Sequence, residues 1–284
     1  MCRKYTKLIF GYIFCHQSTF GAALLYSFYL IRFGNFDTST WFLPFTMVVP
    51  FDTSSVEGWY WFWFIQFSAS LSYIMCMVSV SSYFMCCCFY IEAICDRFGV
   101  IINSIRKSVK QNQIEKDKPK FLENRSKIRD QIHDAIDLHV NIFQIFKMVS
   151  NINSGTIFAL LPVNAIFLGI SMYSTENSVA DMSPAFMLYN VLCIVSSVMW
   201  PYFFAHFATK ITERVSSIGD VVYDSNWYDY PIEFRRYIVL IIARSHQEVN
   251  FTGFNLISCT LAGFGKIVRS SCSFYLLFRS FAQQ

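Results

Sequence analysis

The amino-acid sequence predicts an all-α, polytopic membrane protein, and two observations lead to that fold class. The 284 residues are 54% hydrophobic and 19% aromatic but only 15% charged, whereas soluble domains carry about 25% charged residues. The apolar residues are also concentrated in long runs without any charge, which an amphipathic helix of a soluble protein would interrupt. The composition therefore excludes a water-soluble enzyme, an intrinsically disordered chain and a disulfide-stapled secreted domain.

Five charge-free runs are the predicted membrane spans. Each of the first four is long enough to cross a hydrocarbon layer of about 30 Å at ~1.5 Å per helical residue, and the fifth is shorter. The runs are Leu8–Ile31, Gly58–Ile91, Met148–Thr175, Met182–Thr209 and Val249–Gly265. The second run is longer than a bilayer requires, so we expect it to tilt or to project into the cytoplasm.

The basic residues predict the orientation. Nineteen of the 23 lysines and arginines precede the first span, lie between the second and third, or lie between the fourth and fifth. Asp37, Asp52, Glu57, Glu176 and Asp181 lie in the opposite loops. This asymmetry places the N-terminus and the basic loops in the cytoplasm, and five spans then place the C-terminus outside the cell.

The segments between the spans indicate a second, cytoplasmic layer. We expect residues 1–209 to form four membrane helices with cytoplasmic extensions, 210–251 to form a cytoplasmic anchor segment, and 252–284 to form the final helix with a short outer tail. The charged stretch Lys107–Arg129 predicts local disorder. Two apolar faces at helical spacing then predict helices that continue from the third and fourth spans. They are Ile132, Ile136, Val140 and Phe143, and Ile211, Val215 and Ile218.

Motifs for catalysis or for metal binding do not stand out, and we expect no enzyme activity, no metal and no cofactor. The five histidines share no ligand spacing. The final helix is the most informative segment, because Lys266 and Arg269 interrupt an otherwise apolar stretch that also carries serines. Two cations are costly against lipid and should face protein or water. Such a helix is able to line an aqueous path, and a seam of small polar residues between helices is the alternative.

Several of these segments, in their order along the chain, resemble the insect odorant receptor family. The outer loop with Leu43-Pro44-Phe45 and Pro50-Phe51-Asp52, and the aromatic block ending in Gln66, are similar to the family's pattern. So are His139 before the third span, the stretch from Tyr223 through Trp227 to Arg244-Ser245, and the terminal Arg269-Ser270-Ser271-Cys272-Ser273-Phe274-Tyr275-Leu276-Leu277.

The resemblance implies a fold and a function. The family has seven spans, a cytoplasmic N-terminus and an extracellular C-terminus, so the five spans correspond to its third to seventh, and the chain resembles a receptor without its first two helices. Family members assemble as tetrameric, ligand-gated, nonselective cation channels, usually with the odorant receptor co-receptor. The last helix lines the pore, and the cytoplasmic helices before it form a shared anchor. The implied location is the plasma membrane of olfactory sensory neurons, with a small volatile molecule as ligand.

Two groups of candidate site residues follow. Outer-half positions of the predicted spans offer a ligand pocket, and the positions are Phe20, Leu24, Phe28, Trp63, Phe67, Phe186 and Tyr189. The terminal signature implies that Leu277 and Phe281 form a hydrophobic constriction with Ser280 beside it, and Ser273 continues the same helical stripe. For both groups, a lipid-facing or simple packing role is the alternative.

Three other functions remain open from the sequence. A gustatory receptor of the same superfamily is the nearest, although its terminal pattern fits Ser273-Phe274 and Ser280-Phe281 less well. A G-protein-coupled receptor would have the inverted topology, with its C-terminus inside the cell. A transporter would be favoured by internal repeats, which the sequence does not show.

Overall fold

The computed structural model describes residues 56–114, 118–180, 184–230 and 232–282. Nearly all of them are helical. Within these residues, six α-helices follow one another, with a single turn of 3-10 helix at Trp227–Asp229. The helices are α1 (Val56–Ile114), α2 (Lys118–Ala180), α3 (Pro184–Ser216), α4 (Ile218–Tyr223), α5 (Ile232–Ser245) and α6 (Leu261–Ala282). A two-stranded antiparallel hairpin, β1 (Thr252–Gly253) and β2 (Ile257–Ser258), lies between α5 and α6.

In the part of the chain that the structure describes, three helices are long and apolar enough to cross a membrane. The segments that satisfy both criteria are Tyr60–Gln111, Glu123–Glu176 and Asn190–Tyr223. They contain the third predicted span and most of the second and fourth, and the helices continue into charged sequence, as the apolar periodicity predicted. The fifth predicted span, Val249–Gly265, is not among these segments, because it contains the hairpin. The first predicted span lies outside the described residues. Large apolar side chains such as Trp61, Phe64 and Ile65 are exposed on α1, which is expected for a surface that meets lipid.

Two expectations from the sequence differ from the structure. The stretch Lys107–Arg129 was expected to be disordered, yet α1 remains helical to Ile114 and α2 is helical from Lys118. Ile102, Ile105 and Val109 are buried along one side of α1, and this apolar stripe stabilises the helix despite the charges around it. The final helix begins at Leu261, nine residues after the expected boundary at residue 252, because the hairpin occupies residues 252–258.

The chain divides into two compact units. We call the first the span unit; it comprises Met1–Tyr83, Leu161–Phe203 and Gly265–Gln284. Polar contacts join the helices inside it: the indole N–H of Trp200 donates to Ser81 Oγ at 3.3 Å, and the Ser174 hydroxyl donates to Asn190 Oδ1 at 3.2 Å. These bonds satisfy polar groups that would be costly to leave unpaired in an apolar environment.

The second unit, which we call the anchor unit, comprises Phe84–Leu160 and Phe204–Phe264. Its core is aromatic. The Phe84 ring stacks on Phe204 with centroids 4.7 Å apart, and it meets the edge of Phe251 at 5.4 Å. The predicted apolar face of Ile211, Val215 and Ile218 is buried, so that prediction is confirmed.

Two ion pairs join α1 to α3 in the anchor unit. Lys210 Nζ lies 3.0 Å from Glu92 Oε1, and one turn further Arg214 pairs with Asp96. Glu92 is buried. A buried carboxylate without a cation is strongly unfavourable, so the Lys210–Glu92 pair fixes the register of the two helices.

His139 is buried where the apolar pattern of α2 predicted Val140. The His139 ring packs against Phe143 and its Nε2 lies 3.1 Å from Ser245 Oγ in a hydrogen bond, whereas Val140 is exposed. The two partners are 106 positions apart in sequence, and both belong to the segments that resembled the family. A polar side chain occupies the core here because it has a hydrogen-bond partner there.

The segment between α4 and α5 is a tight polar turn. Asn226 adopts a left-handed conformation with φ of 58°, which asparagine tolerates better than most residues. Tyr230 is buried just after it, and burial raises the pKa of its phenol above the usual value. The backbone carbonyl of Tyr230 accepts a hydrogen bond from Arg235 Nε at 2.9 Å. The turn therefore reverses the chain while keeping the start of α5 attached to it.

We predict that Lys210→Met destabilises the chain, because it removes the cation that is paired with the buried Glu92. Removing one partner of a buried pair costs about 3 kcal/mol or more, and the partial exposure of Lys210 reduces this to about 1–3 kcal/mol. The measurement is the melting temperature of the purified chain in detergent. Lys127→Met is the control, because the Lys127–Glu123 pair is exposed and such surface pairs contribute little to stability. Equal melting temperatures for the two variants would contradict the role given to Glu92.

Candidate functional site

The last helix has two chemically different sides. Ser271 is fully buried, and Phe274, Tyr275 and Phe278 next to it along the helix are half-buried. The opposite side, at a spacing of three and four residues, is exposed. It carries the residues Lys266, Arg269, Ser270, Ser273, Leu277, Ser280 and Phe281. All four residues that the terminal signature implied for a pore, Ser273, Leu277, Ser280 and Phe281, thus lie on the exposed side.

The buried side of α6 packs closely against α2 in the span unit. A Cβ atom at Gly169 would lie 2.8 Å from Phe274 Cβ and 3.0 Å from the carbonyl oxygen of Ser271. Only a residue without a side chain permits this approach. Small residues at helix contacts in membranes allow backbones to come this near, and van der Waals packing then holds the pair together.

Glu176 joins the same two helices one to two turns further along. The Tyr275 hydroxyl donates a hydrogen bond to Glu176 Oε2 at 2.8 Å, and the Arg279 guanidinium lies 3.4 Å from Oε1. The carboxylate therefore contacts two residues of α6 that are four positions apart, one by a hydrogen bond and one as an ion pair. Together with the Gly169 contact, this cluster fixes the rotation of α6 about its own axis and so decides which side is exposed.

Hydroxyl groups inside the apolar helices are satisfied locally. Ser70, Ser171 and Ser197 each donate to the backbone carbonyl four residues earlier, at 2.7–2.9 Å. A serine in lipid-facing sequence commonly uses this bond to avoid an unsatisfied hydroxyl. These three serines therefore need no ligand to explain them.

The ligand-pocket candidates are only partly described. The rings of Trp63 and Phe67 stack with centroids 5.5 Å apart, and both side chains are half-buried on α1. Phe20, Leu24 and Phe28 lie outside the described residues. Phe186 and Tyr189 lie in α3, and their side chains are not among those described. The structure thus brings together two of the seven candidates and leaves the other five as predictions.

Sequence reasoning missed two features of this region. Phe62, Gln66 and Ser70 form a buried side of α1 at four-residue spacing, so two of the polar residues of this helix face inward. The four-residue spacing indicated that these residues share a face of the helix. It did not indicate that this face, rather than the more apolar one, is buried. The role of Glu176 was also missed. A single carboxylate at the end of a charge-free run is typical of a loop residue, and Glu176 was therefore expected in a loop.

These features define a class of protein: a polytopic helical membrane protein whose last helix keeps one polar side exposed. Residues 2–272 match the family described as 7tm Odorant receptor. The chain belongs to the odorant receptor family of the insect type, which decides between the two members of the superfamily that the sequence had left open.

Individual relatives agree with that assignment. Odorant receptor Or2 of Anopheles gambiae is 28% identical over 108 residues, which cover 38% of this chain and 27% of that protein. Odorant receptor 85f of Drosophila melanogaster is 23% identical over 177 residues, covering 61% of this chain and 41% of the relative. The matches thus span less than half the length of these curated relatives.

The fold is also that of a solved family member. The insect olfactory receptor OR5 from Machilis hrabei in complex with eugenol superposes with a TM-score of 0.74 at 14% identity, covering 99% of this chain and 68% of that chain. A second structure of the same Machilis hrabei receptor superposes with a TM-score of 0.68 at 15% identity, covering 97% of this chain and 69% of that chain. At this identity the likeness establishes the fold.

We predict that Gly169→Ala lowers the yield and the melting temperature of the purified chain. The added methyl group collides with Phe274 and with the backbone of α6, so the two helices must separate. Gly155→Ala in the same helix is the control, because its Cβ would meet only Phe254, at an ordinary distance of 3.9 Å. That variant should be neutral or gain up to about 1 kcal/mol of helix propensity. A Gly169→Ala chain as stable as Gly155→Ala would show that the helices do not pack this way.

Proposed function

We propose that this chain is an odorant receptor subunit of a ligand-gated, nonselective cation channel in the plasma membrane of olfactory sensory neurons, and that α6 lines the pore. The observation that carries the proposal is the polarity of the exposed side of α6. Exposed sides of α1 and α2 present Trp61, Phe64 and Val163, which suit lipid, whereas α6 presents Lys266, Arg269 and Ser273. Two cations facing lipid would be costly, so this side is expected to meet water.

The outer part of the same side supplies a constriction. Leu277 and Phe281 follow Ser273 at four-residue spacing and are exposed. Rotational symmetry in an oligomer repeats one stripe around the axis, so each of these positions becomes a ring. Rings of apolar side chains in a narrow pore gate it by excluding water, and Ser280 beside them supplies a polar neighbour.

The two cations on this side favour a mixed oligomer. Among the described residues, no carboxylate lies within ion-pair distance of Lys266 or Arg269. A ring of lysine and arginine side chains selects against cations, so a channel made only of this chain would oppose the current it is proposed to carry. A partner that contributes other copies of the pore helix dilutes that charge. This supports the odorant receptor co-receptor as partner in a hetero-tetramer.

The anchor unit offers a surface for that assembly. On α5, Phe234, Ile238 and Ile241 are buried, while Tyr237 and Leu240 are exposed on the other side. A helix that is apolar on both sides buries the second one against another element or chain. Residues 210–251 are therefore proposed as the shared cytoplasmic anchor of the oligomer.

The proposed ligand is a small volatile molecule that is largely apolar. The stacked pair of Trp63 and Phe67 provides aromatic surface in the span unit, and Gln66 provides a buried polar side chain on the same helix. Such a mixture suits a ligand with an apolar body and few polar atoms. Machilis OR5 was solved with eugenol, a small aromatic molecule of this kind.

For the pore, we predict that Leu277→Ser raises the basal current or changes ion selectivity when the chain is expressed with the co-receptor. A polar ring wets more readily than an apolar one, so the closed state becomes leaky. The measurement is whole-cell current with and without odorant, normalised to surface expression. Phe281→Ser should act in the same direction.

Ile170→Ser is the matched control for Leu277→Ser. The two side chains are 47% and 45% exposed, but Ile170 lies on α2 and is expected to face lipid. Normal gating and permeability at normal surface levels for both Leu277→Ser and Phe281→Ser would remove α6 from the pore. A leak in the Ile170→Ser channel as large as in Leu277→Ser would have the same consequence.

For the ligand, we predict that Phe67→Ala shifts the odorant concentration for half-maximal current severalfold, because it removes half of the stacked aromatic surface. Ion selectivity and the maximal current should stay unchanged. Phe64→Ala is the control, since Phe64 is on the same helix but exposed. Equal odorant sensitivity of the Phe67→Ala and Phe64→Ala channels would place the ligand elsewhere.

A further inference from the structure

A polar groove lies in the anchor unit, and its lining includes none of the proposed pore and ligand residues. Its volume is about 670 Å³. One wall is a single side of α2, and the other is the end of α5 together with the segment that leads into the hairpin. The lining includes Lys147, Ser150, Asn151 and Ser154 from α2, and Arg244, Glu248, Asn250 and Asn255 from the facing wall.

The two cations of this groove are placed differently. Arg244 lies with its guanidinium carbon 4.5 Å from the centroid of the Phe143 ring, and it donates to the side chain of Gln247. A cation stacked on an aromatic ring is held in position and keeps its outward N–H groups for a ligand. Lys147 is exposed, and no partner for its ammonium group is found among the described residues.

The walls of the groove are held in place by hydrogen bonds. The backbone N–H of Phe254 donates to Ser154 Oγ at 2.7 Å, which ties the hairpin to α2. Gly253 makes this possible, because a Cβ there would lie 2.7 Å from the backbone nitrogen of Phe158. The polar atoms of the groove therefore face one another across a preformed space, and a ligand binds without the cost of ordering the walls.

The position of the groove along α2 points to the source of its ligand. Lys147 is the last charged residue before the charge-free run Met148–Thr175. The groove continues past it to Ser154, which is seven residues or about 10 Å further along the helix. A lipid-facing surface would be apolar over this stretch, so we expect the polar lining to lie where headgroups meet the hydrocarbon layer. Basic pockets at this depth on the cytoplasmic side bind anionic headgroups.

We propose that this groove binds a phosphomonoester group, the group carried by phosphorylated inositol lipids. Such a group has a charge of about −1.5 to −2 at neutral pH and three strong acceptor oxygens. Lys147 and Arg244 supply two positive charges, and the amide N–H groups of Asn151 and Asn250 supply neutral donors. Glu248 opposes the ligand and limits its affinity. The proposal does not depend on the channel function or on the ligand site for odorants.

The test uses the full chain in nanodiscs of neutral phosphatidylcholine. One arm titrates a short-chain phosphatidylinositol monophosphate, and the other titrates the same phosphorylated headgroup without acyl chains. We expect saturable binding, weakened about tenfold by Lys147→Gln, because one charge-assisted hydrogen bond of about 1.4 kcal/mol corresponds to a tenfold change in Kd. Binding of the lipid alone identifies a membrane lipid as the source, and equal binding of both probes shows that a soluble phosphate suffices.

Three variants separate this role from a structural one. Glu248→Gln should bind several times more tightly than the unaltered chain, which a merely structural residue would not do. Arg244→Gln should bind at least tenfold more weakly, and its melting temperature reports whether the loss of the Phe143 contact also affects folding. Lys127→Gln, which removes another cation of α2, should bind normally. No saturable binding of either probe, or the same Kd for Lys147→Gln and Lys127→Gln, would overturn the proposal.

Discussion

The close contact between Gly169 and Phe274 is the constraint on which the account of this chain depends. Because a Cβ at position 169 would lie 2.8 Å from Phe274 Cβ, α2 and α6 pack at a distance that only glycine allows. The carboxylate of Glu176 then holds Tyr275 and Arg279 of the same helix. These contacts fix one side of α6, and the polar side with Lys266 and Ser273 is exposed as a consequence. A lipid-facing helix of the same composition would be rotated the other way.

The sequence predicted those parts of the fold that are determined by the lipid environment, namely the long membrane helices. Charge-free runs predicted the long helices because a membrane admits few charges and requires internal backbone hydrogen bonds. The stretch from Lys107 was wrongly expected to be disordered on account of its charges. The buried apolar stripe of Ile102, Ile105 and Val109, which runs into this stretch, stabilises α1 as a helix. Val140 was expected on the buried side of α2, where the structure has His139. The partner of His139, Ser245, lies 106 positions away, and local periodicity does not reveal such a partner.

The candidate site was also predicted in part from the sequence, and the rest of it required the tertiary structure. The stripe of Ser273, Leu277 and Phe281 follows from helical spacing and the terminal signature, and the structure places the stripe on the exposed side of α6. Gly169 and Glu176 determine that this side of α6 is the exposed one, and no pattern in the sequence marks these two residues. The groove at Lys147 and Arg244 was equally invisible, because its two cations come from helices far apart in sequence. Distant pairs of this kind require the tertiary structure.

The proposed pore requires that the exposed side of α6 face the ion pathway while its other side packs against α2. Substituted-cysteine accessibility tests this most directly, in a background where the natural Cys272 is replaced by alanine. A charged, water-soluble thiol reagent is applied during odorant-evoked current to channels that carry Ser273→Cys or Phe274→Cys. The account predicts rapid, irreversible block of the Ser273→Cys channel and no change in the Phe274→Cys channel. Block of Phe274→Cys with Ser273→Cys unaffected would contradict it.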